Sequence, residues 1–296
     1  VNAGNGTAGL VIDALAPHLP FEFVRVHHEP DPDFPNGIPN PLLPENRGAT
    51  AEAVRAHRAD FGIAWDGDFD RCFFFDCTGA FVDGEYVVAL LAESVLSREP
   101  GATIVHDPRV VWATEDAIAA HGGRAVAART GHAHLKAAMR AEKAAYGGEM
   151  SAHHYFRDFA YCDSGMIPWL LVMARIAETE TSLTDLVAER RARFPSSGEI
   201  NFRVEDPAAV IERIVDELGG VEAVMKEITR RISFGMGVAA QERVDLAILC
   251  YPVVSMMLPT HQGSRETLLG MFWPESSSGL PSRERRVANL NENSRL

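Results

Sequence analysis

Short apolar runs alternate with segments whose apolar residues recur at helical spacing along most of the chain. The apolar runs predict strands at 21–26, 60–65, 72–76, 103–107 and 124–129. The helical spacing predicts helices at 47–57, 84–96, 111–120, 133–144, 163–177 and 182–193, after a first helix that follows a glycine-rich opening turn. Regular strand–helix alternation indicates an α/β fold with mixed, mostly parallel sheets.

The dipeptide Pro100-Gly101 interrupts the alternation, and the pattern starts again after it. We therefore expect two consecutive α/β domains, residues 1–98 and residues 99–215. The pattern fades near Leu218, so residues 216–296 are expected to form a divergent or degraded C-terminal segment with a polar tail.

The strand at 60–65 leads directly into Asp66-Gly67-Asp68-Phe69-Asp70-Arg71, here named the DxDxD loop. Three carboxylates this close together repel one another unless a cation lies between them. Mg²⁺ is the expected cation, because it accepts a few carboxylates and keeps other positions for water and phosphate oxygens. The Arg71 guanidinium can form a bidentate contact with a phosphate beside that metal.

Other chemistries also place aspartates at this spacing. An EF-hand loop starting at Asp66 is excluded, because its sixth and twelfth positions would be Arg71 and Cys77 instead of Gly and Glu. A solvated acidic turn and a phosphatase that uses Asp66 as nucleophile both stay open.

A second polar stretch, Gly148-Glu149-Met150-Ser151-Ala152-His153, is here named the GEMSAH loop. Its carboxylate, hydroxyl and imidazole at i, i+2 and i+4 suit hydrogen bonds to vicinal sugar hydroxyls. Spacing alone equally allows a loop whose polar groups cap a following helix that starts at Asp163.

Two further polar clusters, Asp107-Pro108-Arg109 and Thr130-Gly131-His132, also follow predicted strands. In open α/β sheets, ligands bind at the carboxyl ends of the strands. We therefore expect these clusters to meet the two loops at one edge. The opening turn at 1–9 is either structural or a weak phosphate contact at a helix N-terminus.

Composition narrows the classes of partner. With 46% hydrophobic and 23% charged residues, the 296-residue chain is typical of globular proteins. A formal charge of −13 argues against a nucleic acid or an anionic membrane surface as the main partner. Four cysteines without a CxxC pair indicate a reducing, cytoplasmic environment. Nothing in the pattern specifies an oligomeric state.

The two loops together resemble the bacterial phosphomannomutases of the α-D-phosphohexomutase superfamily. The DxDxD loop is similar to the DGDFDR form of that family's metal-binding loop, and the GEMSAH loop resembles its sugar-binding GEMSGH loop. Thr130-Gly131-His132 with Lys136 resembles the family's TGH segment, and Arg109 stands where the family carries a basic residue facing substrate phosphate. The resemblance covers about residues 1–215 and starts in the family's second domain.

The resemblance implies a phosphotransferase that interconverts mannose 6-phosphate and mannose 1-phosphate through a bisphosphorylated hexose, using a phosphoserine and Mg²⁺. The resemblance implies that Mg²⁺ is bound by Asp66, Asp68 and Asp70. It implies catalytic roles for Arg71, His132 and Arg109. It implies that the hexose phosphate is bound by Glu149, Ser151, His153 and Lys136.

Two departures limit what is expected of this chain alone. No serine in the 296 residues lies in the TASHNP-like motif of the family's first domain, and no R-[ST]-[SN]-x-TEP phosphate loop is found beyond Leu218. We expect the chain by itself to bind Mg²⁺ without mutase activity. A non-catalytic sugar-phosphate-binding remnant and a Mg²⁺-dependent phosphatase using Asp66 are the alternatives.

Overall fold

A computed structural model describes residues 1–196. The segment expected at 216–296, and the expected domain end at residue 215, lie outside these described residues. The helices of the described part are α1 Ala8–Leu15, α2 Gly48–His57, α3 Gly84–Leu96, α4 Trp112–Ala120, α5 His132–Glu142, α6 Ile167–Thr179 and α7 Leu183–Arg193. Its strands are β1 Gly62–Trp65, β2 Cys72–Phe75, β3 Phe81–Val82, β4 Thr103–His106, β5 Arg124–Ala127, β6 Tyr146–Gly148, β7 His154–Phe156 and β8 Cys162–Asp163.

The first sheet has the order β1-β2-β3, and both of its strand pairs are antiparallel. Asn2 adds isolated parallel bridges to Val26 on one side and Ala64 on the other. The strand expected at 21–26 is therefore reduced to a single bridging position at Val26. This segment pairs only with the first few residues of the chain, which leaves it too few partners for a regular ladder.

The second sheet has the order β5-β4-β6-β7-β8. Strand β4 pairs in parallel with β5 and β6, whereas β7 pairs antiparallel with β6 and β8. The expected α/β class with mixed sheets is confirmed. The sheets contain more antiparallel strand pairs than the expected mostly parallel arrangement would have. The short connections on either side of β7 allow only antiparallel pairing.

Helix α3 is buried along nearly all its length, as its apolar character on every face requires. It packs against α4, α6 and α7. One continuous core joins α1, β1, α3, β4 and α6, and contains both Trp65 of β1 and Trp169 of α6. The Trp65 indole Nε1 donates a hydrogen bond to the Gly165 carbonyl at 2.8 Å. The two sheets are therefore held together by shared packing.

Local signals at helix ends explain several boundaries. Ser182 caps α7 by accepting a hydrogen bond from the Asp185 N–H at 3.1 Å. Helix α6 begins at Ile167, where Ser164 Oγ accepts hydrogen bonds from the N–H groups of Met166 and Ile167 at 3.1 and 3.3 Å. The helix start expected at Asp163 is therefore wrong, because Ser164 provides the cap and Asp163 belongs to β8.

The backbone N–H groups of the opening turn donate hydrogen bonds to acceptors within the protein. Gly4 N–H donates to Asn2 Oδ1, and the N–H groups of Asn5, Gly6 and Thr7 donate to backbone carbonyls. The Thr7 acceptor is Gly67, in the DxDxD loop. These contacts favour a structural role for the turn over a phosphate contact. Among residues 1–196, no helix is long and apolar enough to cross a bilayer.

Candidate active site

The DxDxD loop begins where β1 ends. Asp66 is 2% exposed, and its two oxygens accept hydrogen bonds from the Arg71 N–H at 3.2 Å and from Arg71 Nε at 2.5 Å. Asp66, Asp68 and Asp70 each place a carboxylate oxygen within 4.8 Å of the others. Asp70 Oδ1 is buried and accepts no hydrogen bond within the described part of the chain. A buried acceptor without a donor, inside an all-oxygen cluster, fits a hard divalent cation such as Mg²⁺.

Burial raises the pKa of Asp66 to about 6, although Arg71 opposes the shift. The nearby Asp70 carboxylate also favours the protonated form of Asp66. A cation in the cluster would favour the ionised form, so that proton and metal compete for the same carboxylate.

Glu149 lies at the end of β6 and is 2% exposed. Its Oε1 accepts a hydrogen bond from the Gly131 N–H at 2.8 Å, and its Oε2 accepts one from Ser151 Oγ at 2.9 Å. His153 Nδ1 lies 3.2 Å from the same Oε2. Burial acts to raise the pKa of Glu149, but the hydrogen bonds from His153, Gly131 and Ser151 outweigh it and hold that pKa below its ordinary value.

The two loops meet at His153. The His153 Nε2 atom lies 3.4 Å from Asp70 Oδ2, while its Nδ1 faces Glu149. Burial disfavours the charged ring, but the hydrogen bond to Glu149 and the charge of Asp70 together raise the pKa of His153. One imidazole thus bridges a carboxylate of the DxDxD loop and a carboxylate of the GEMSAH loop.

Asp163 anchors two basic residues of helix α5. Its Oδ2 lies 3.1 Å from His132 Nδ1, and its Oδ1 lies 2.8 Å from Lys136 Nζ. The ring centroids of His132 and His153 lie 4.4 Å apart, and both rings pack on Tyr155. Burial acts to raise the pKa of Asp163, but the hydrogen bond from Lys136 opposes this effect and the pKa of Asp163 is lowered.

Arg109 reaches the site through Asp107, which is completely buried at the end of β4. The Asp107 Oδ2 atom accepts hydrogen bonds from Arg109 Nη2 at 2.7 Å and from the Met150 N–H at 3.0 Å. Asp107 therefore holds Arg109 beside the GEMSAH loop. The expectation that the polar clusters meet at the carboxyl ends of strands agrees with this geometry.

Sequence reasoning missed three residues that organise this arrangement, namely Asp107, Tyr155 and Asp163. The sequence indicates Asp107 only as a member of a polar cluster and predicts Asp163 as a helix start. Antiparallel pairing sets Tyr155 opposite Asp163. No sequence signal marks strand β7, because its three residues, His154-Tyr155-Phe156, show no polar–apolar alternation.

Two family models match the chain in succession. The model described as "Phosphoglucomutase/phosphomannomutase, alpha/beta/alpha domain II" matches residues 1–79, and the corresponding model of domain III matches residues 83–194. The chain belongs to the phosphoglucomutase/phosphomannomutase family. Both loops of the site fall inside the matched regions. The expected division at residues 98 and 99 stays a prediction.

Relatives of this family agree with the assignment. The chain is 63% identical over 219 residues to a protein of Xanthomonas campestris called "Phosphohexose mutases", a match that covers 74% of the chain and 49% of the relative. It is 59% identical over 219 residues to an Escherichia coli phosphomannomutase, covering 72% and 48%.

A crystal structure of a phosphoglucomutase/phosphomannomutase family protein from Burkholderia thailandensis matches with a TM-score of 0.61 and 31% identity. That match covers 73% of this chain and 46% of the solved chain. The chain thus spans about half the length of the curated relatives it matches.

Proposed function

We propose that the chain belongs to a phosphomannomutase-type phosphohexomutase, which interconverts mannose 6-phosphate and mannose 1-phosphate through a bisphosphorylated hexose. The observation that carries this proposal is the position of His153, with Asp70 and Glu149 on either side of one ring. A cation-binding loop and a hydroxyl-binding loop joined in this way suit phosphoryl transfer to a sugar.

The DxDxD loop is proposed to hold Mg²⁺ through Asp66, Asp68 and Asp70. When bound, Mg²⁺ supplies positive charge that neutralises the transferring phosphoryl group. Arg71 keeps Asp66 in place with its Nε and N–H. The rest of its guanidinium is proposed to contact the phosphate that is donated.

The GEMSAH loop is proposed to bind the sugar. The Glu149 carboxylate is held ionised by its three donors, and its oxygens and Ser151 Oγ provide acceptors and a donor for neighbouring hydroxyl groups. Such a pair can bind two vicinal hydroxyls in either orientation of the hexose. That property suits an intermediate that must turn over between two transfers.

Three basic residues around the loop are proposed to receive the phosphate of the substrate. Lys136 and His132 are held by Asp163, and Arg109 is held by Asp107. The paired carboxylates fix the positions of these side chains before the anion arrives. His132 and Arg109 are proposed to assist proton transfer or charge stabilisation during the reaction.

Mannose as the sugar is supported by relatives at 59% and 60% identity that are named phosphomannomutase. The match covers about half of each relative, and the complete reaction is proposed for a protein of the relatives' full length. No serine in the 296 residues lies in a TASHNP-like motif, so the chain alone is proposed to bind hexose phosphate without converting it. A purely binding role of the chain is therefore compatible with the same geometry.

A phosphatase that uses Asp66 as nucleophile receives little support. Both Asp66 oxygens accept hydrogen bonds from Arg71, and the residue is buried at 2% exposure. A nucleophile needs an oxygen free to attack phosphorus in line. If the phosphatase interpretation were correct, the purified chain would release phosphate from mannose 1-phosphate, and Asp66→Asn would abolish the release.

Calorimetric titration of the chain with mannose 1-phosphate in the presence of Mg²⁺ tests the proposed function. We expect saturable heat from the wild type, loss of that heat in Glu149→Gln, and retention in Glu52→Gln, whose side chain is exposed on α2. Absence of heat with or without Mg²⁺ would contradict the proposed binding. Interconversion by the chain alone would contradict the proposed need for a separate phosphoserine.

A further inference from the structure

A second cluster of metal-ligand side chains adjoins the DxDxD loop and differs from it in chemistry. It consists of Asp70, His132, His153 and Asp163, each of which places one ligand atom within 4.8 Å of the others. The four residues come from four separate elements, namely the DxDxD loop, the start of α5, the end of the GEMSAH loop and β8. Folding therefore assembles this cluster from distant parts of the sequence.

We propose that Asp70, His132, His153 and Asp163 form a binding site for a divalent transition-metal ion of the Zn²⁺ class. Two imidazoles and two carboxylates are the number and type of ligands that tetrahedral Zn²⁺ accepts in proteins. Two carboxylates also balance the charge of one divalent cation. Imidazole nitrogen favours Zn²⁺, Co²⁺ or Ni²⁺ over Mg²⁺, which prefers oxygen ligands.

His153 has the partner arrangement of a metal-binding histidine. Its Nδ1 lies 3.2 Å from the Glu149 carboxylate and 3.1 Å from Ser151 Oγ, which leaves Nε2 facing Asp70. Histidine ligands commonly give their second ring nitrogen to a carboxylate in this way, which fixes the tautomer and orients the ring. Glu149 therefore aims the Nε2 atom at the cluster.

The other ligand atoms also converge. His132 Nδ1 lies 3.1 Å from Asp163 Oδ2, and His153 Nε2 lies 3.4 Å from Asp70 Oδ2. Lys136 occupies Oδ1 of Asp163 and leaves Oδ2 directed at His132.

Asp70 faces both clusters, because its Oδ2 lies 3.4 Å from His153 Nε2 and its Oδ1 lies 3.8 Å from Arg71 Nε in the DxDxD loop. Its Oδ1 is buried without a hydrogen-bond partner among residues 1–196. His132 is 47% exposed at its side chain, which gives an ion access from solvent. Because Asp70 belongs to both clusters, the proposed ion and Mg²⁺ at the DxDxD loop share one carboxylate.

Titration of the 296-residue chain with Co²⁺, followed by visible absorption, tests the proposal. Tetrahedral Co²⁺ with nitrogen ligands absorbs in the visible range, whereas an all-oxygen octahedral site gives only weak bands. We expect one equivalent of tetrahedral Co²⁺, which Zn²⁺ displaces and which excess Mg²⁺ does not.

Variants separate the two sites, because each cluster has a ligand that the other lacks. His132→Gln and Asp163→Asn should lose the Co²⁺ absorption, while Asp68→Asn, which alters only the DxDxD loop, should keep it. His134→Gln is the matched control on the same helix, and it should behave as wild type. Mg²⁺ binding by His132→Gln reports that the variant is folded, because its half-exposed side chain lies outside the core.

The absence of tetrahedral Co²⁺ absorption would overturn the proposal. Unchanged absorption in both His132→Gln and Asp163→Asn would place the ion elsewhere and would also overturn it. Loss of the absorption in Asp68→Asn would assign the ion to the DxDxD loop instead. The Co²⁺ titrations contain no hexose phosphate, so their outcome is separate from that of the mannose 1-phosphate calorimetry that tests the proposed function.

Discussion

Arg71 and His153 form an isolated antiparallel backbone bridge that joins the DxDxD loop to the GEMSAH loop. The adjacent Cys72 N–H donates a hydrogen bond to the Ala152 carbonyl at 3.3 Å, which extends the contact between these two segments of the chain. The spacing between the two loops is therefore set by main-chain hydrogen bonds as well as by the His153 side chain. Substitutions that disturb this contact should affect both halves of the site together.

Asp68 tests the DxDxD loop most selectively, because Asp66 also holds Arg71 and Asp70 also faces His153. We expect Asp68→Asn to weaken Mg²⁺ binding by at least about tenfold, since loss of a ligand costs more than loss of an outer-shell partner. Calorimetric Mg²⁺ titration measures the change. The exposed Asp60→Asn is the matched control, and an equal loss in both variants would contradict the assignment.

Gly165 is packed against the DxDxD loop with no room for a side chain. A Cβ atom there would lie 2.2 Å from the Phe69 carbonyl oxygen and 3.1 Å from the Arg71 carbonyl oxygen. Backbone atoms cannot rotate away, so Gly165→Ala must displace the loop. We expect the free energy of unfolding to fall by about 1–3 kcal/mol, a typical cost of overpacking, and Mg²⁺ binding to weaken.

Gly48 provides the control for that substitution. It begins helix α2 at an exposed position, and a Cβ atom there would contact nothing within 4 Å. Gly48→Ala should leave Mg²⁺ binding unchanged and should be neutral or slightly stabilising in urea unfolding. Equal behaviour of the two alanine variants would contradict the close packing of Gly165 on the loop.

His154 makes the stability of the folded chain depend on pH. Its ring is fully buried, Nδ1 is paired with the Tyr146 hydroxyl at 2.7 Å, and burial lowers the pKa of His154 to about 3. The unfolded chain binds a proton at this residue below its ordinary pKa of about 6.5, while the folded chain does not. Stability is therefore lost as pH falls from about 6.5 towards 3.

His154→Asn removes this titration while keeping an acceptor near the Tyr146 hydroxyl. Between about pH 7.5 and pH 5, we expect the variant to lose about 2 kcal/mol less unfolding free energy than wild type, at about 1.4 kcal/mol per pH unit below 6.5. Urea unfolding at both pH values measures the difference. His57→Asn, at the exposed end of α2, is the control. Parallel pH dependence of His154→Asn and wild type would refute this explanation.

Much of the fold follows from local sequence signals. The sequence predicts helix α3 over its observed range, because its apolar residues are numerous and its ends are marked by glycine and by the Arg98-Glu99-Pro100-Gly101 turn. The apolar runs at 60–65 and 103–107 also predict strands β1 and β4, within two residues of their observed ends. Long, strongly patterned elements carry their own signal.

The short strands escaped sequence prediction for a physical reason. Strands β3 and β8 contain only two residues each, and β7 only three, so no periodicity can be read from them. Their conformation depends on tertiary pairing, such as Tyr155 with Asp163. Asp163 could not be recognised as a site residue before that pairing was known.

Residues of the candidate site were easier to anticipate individually than in combination. The local sequence patterns indicate both Glu149 and Asp66 as site residues. The His153 ring that lies between Asp70 and Glu149 depends on the approach of two loops that are far apart in sequence. No spacing rule along the chain encodes such a contact.

The central claim is that the DxDxD loop and the GEMSAH loop form one site, and paramagnetic relaxation by Mn²⁺ tests it most directly. With Mn²⁺ in place of Mg²⁺, bound mannose 1-phosphate should show strong broadening of its sugar proton resonances. Asp68→Asn should abolish the broadening while mannose 1-phosphate still binds, and Glu149→Gln should abolish the binding itself. If Mn²⁺ and mannose 1-phosphate both bind without broadening, the two loops do not form one site and the claim is wrong.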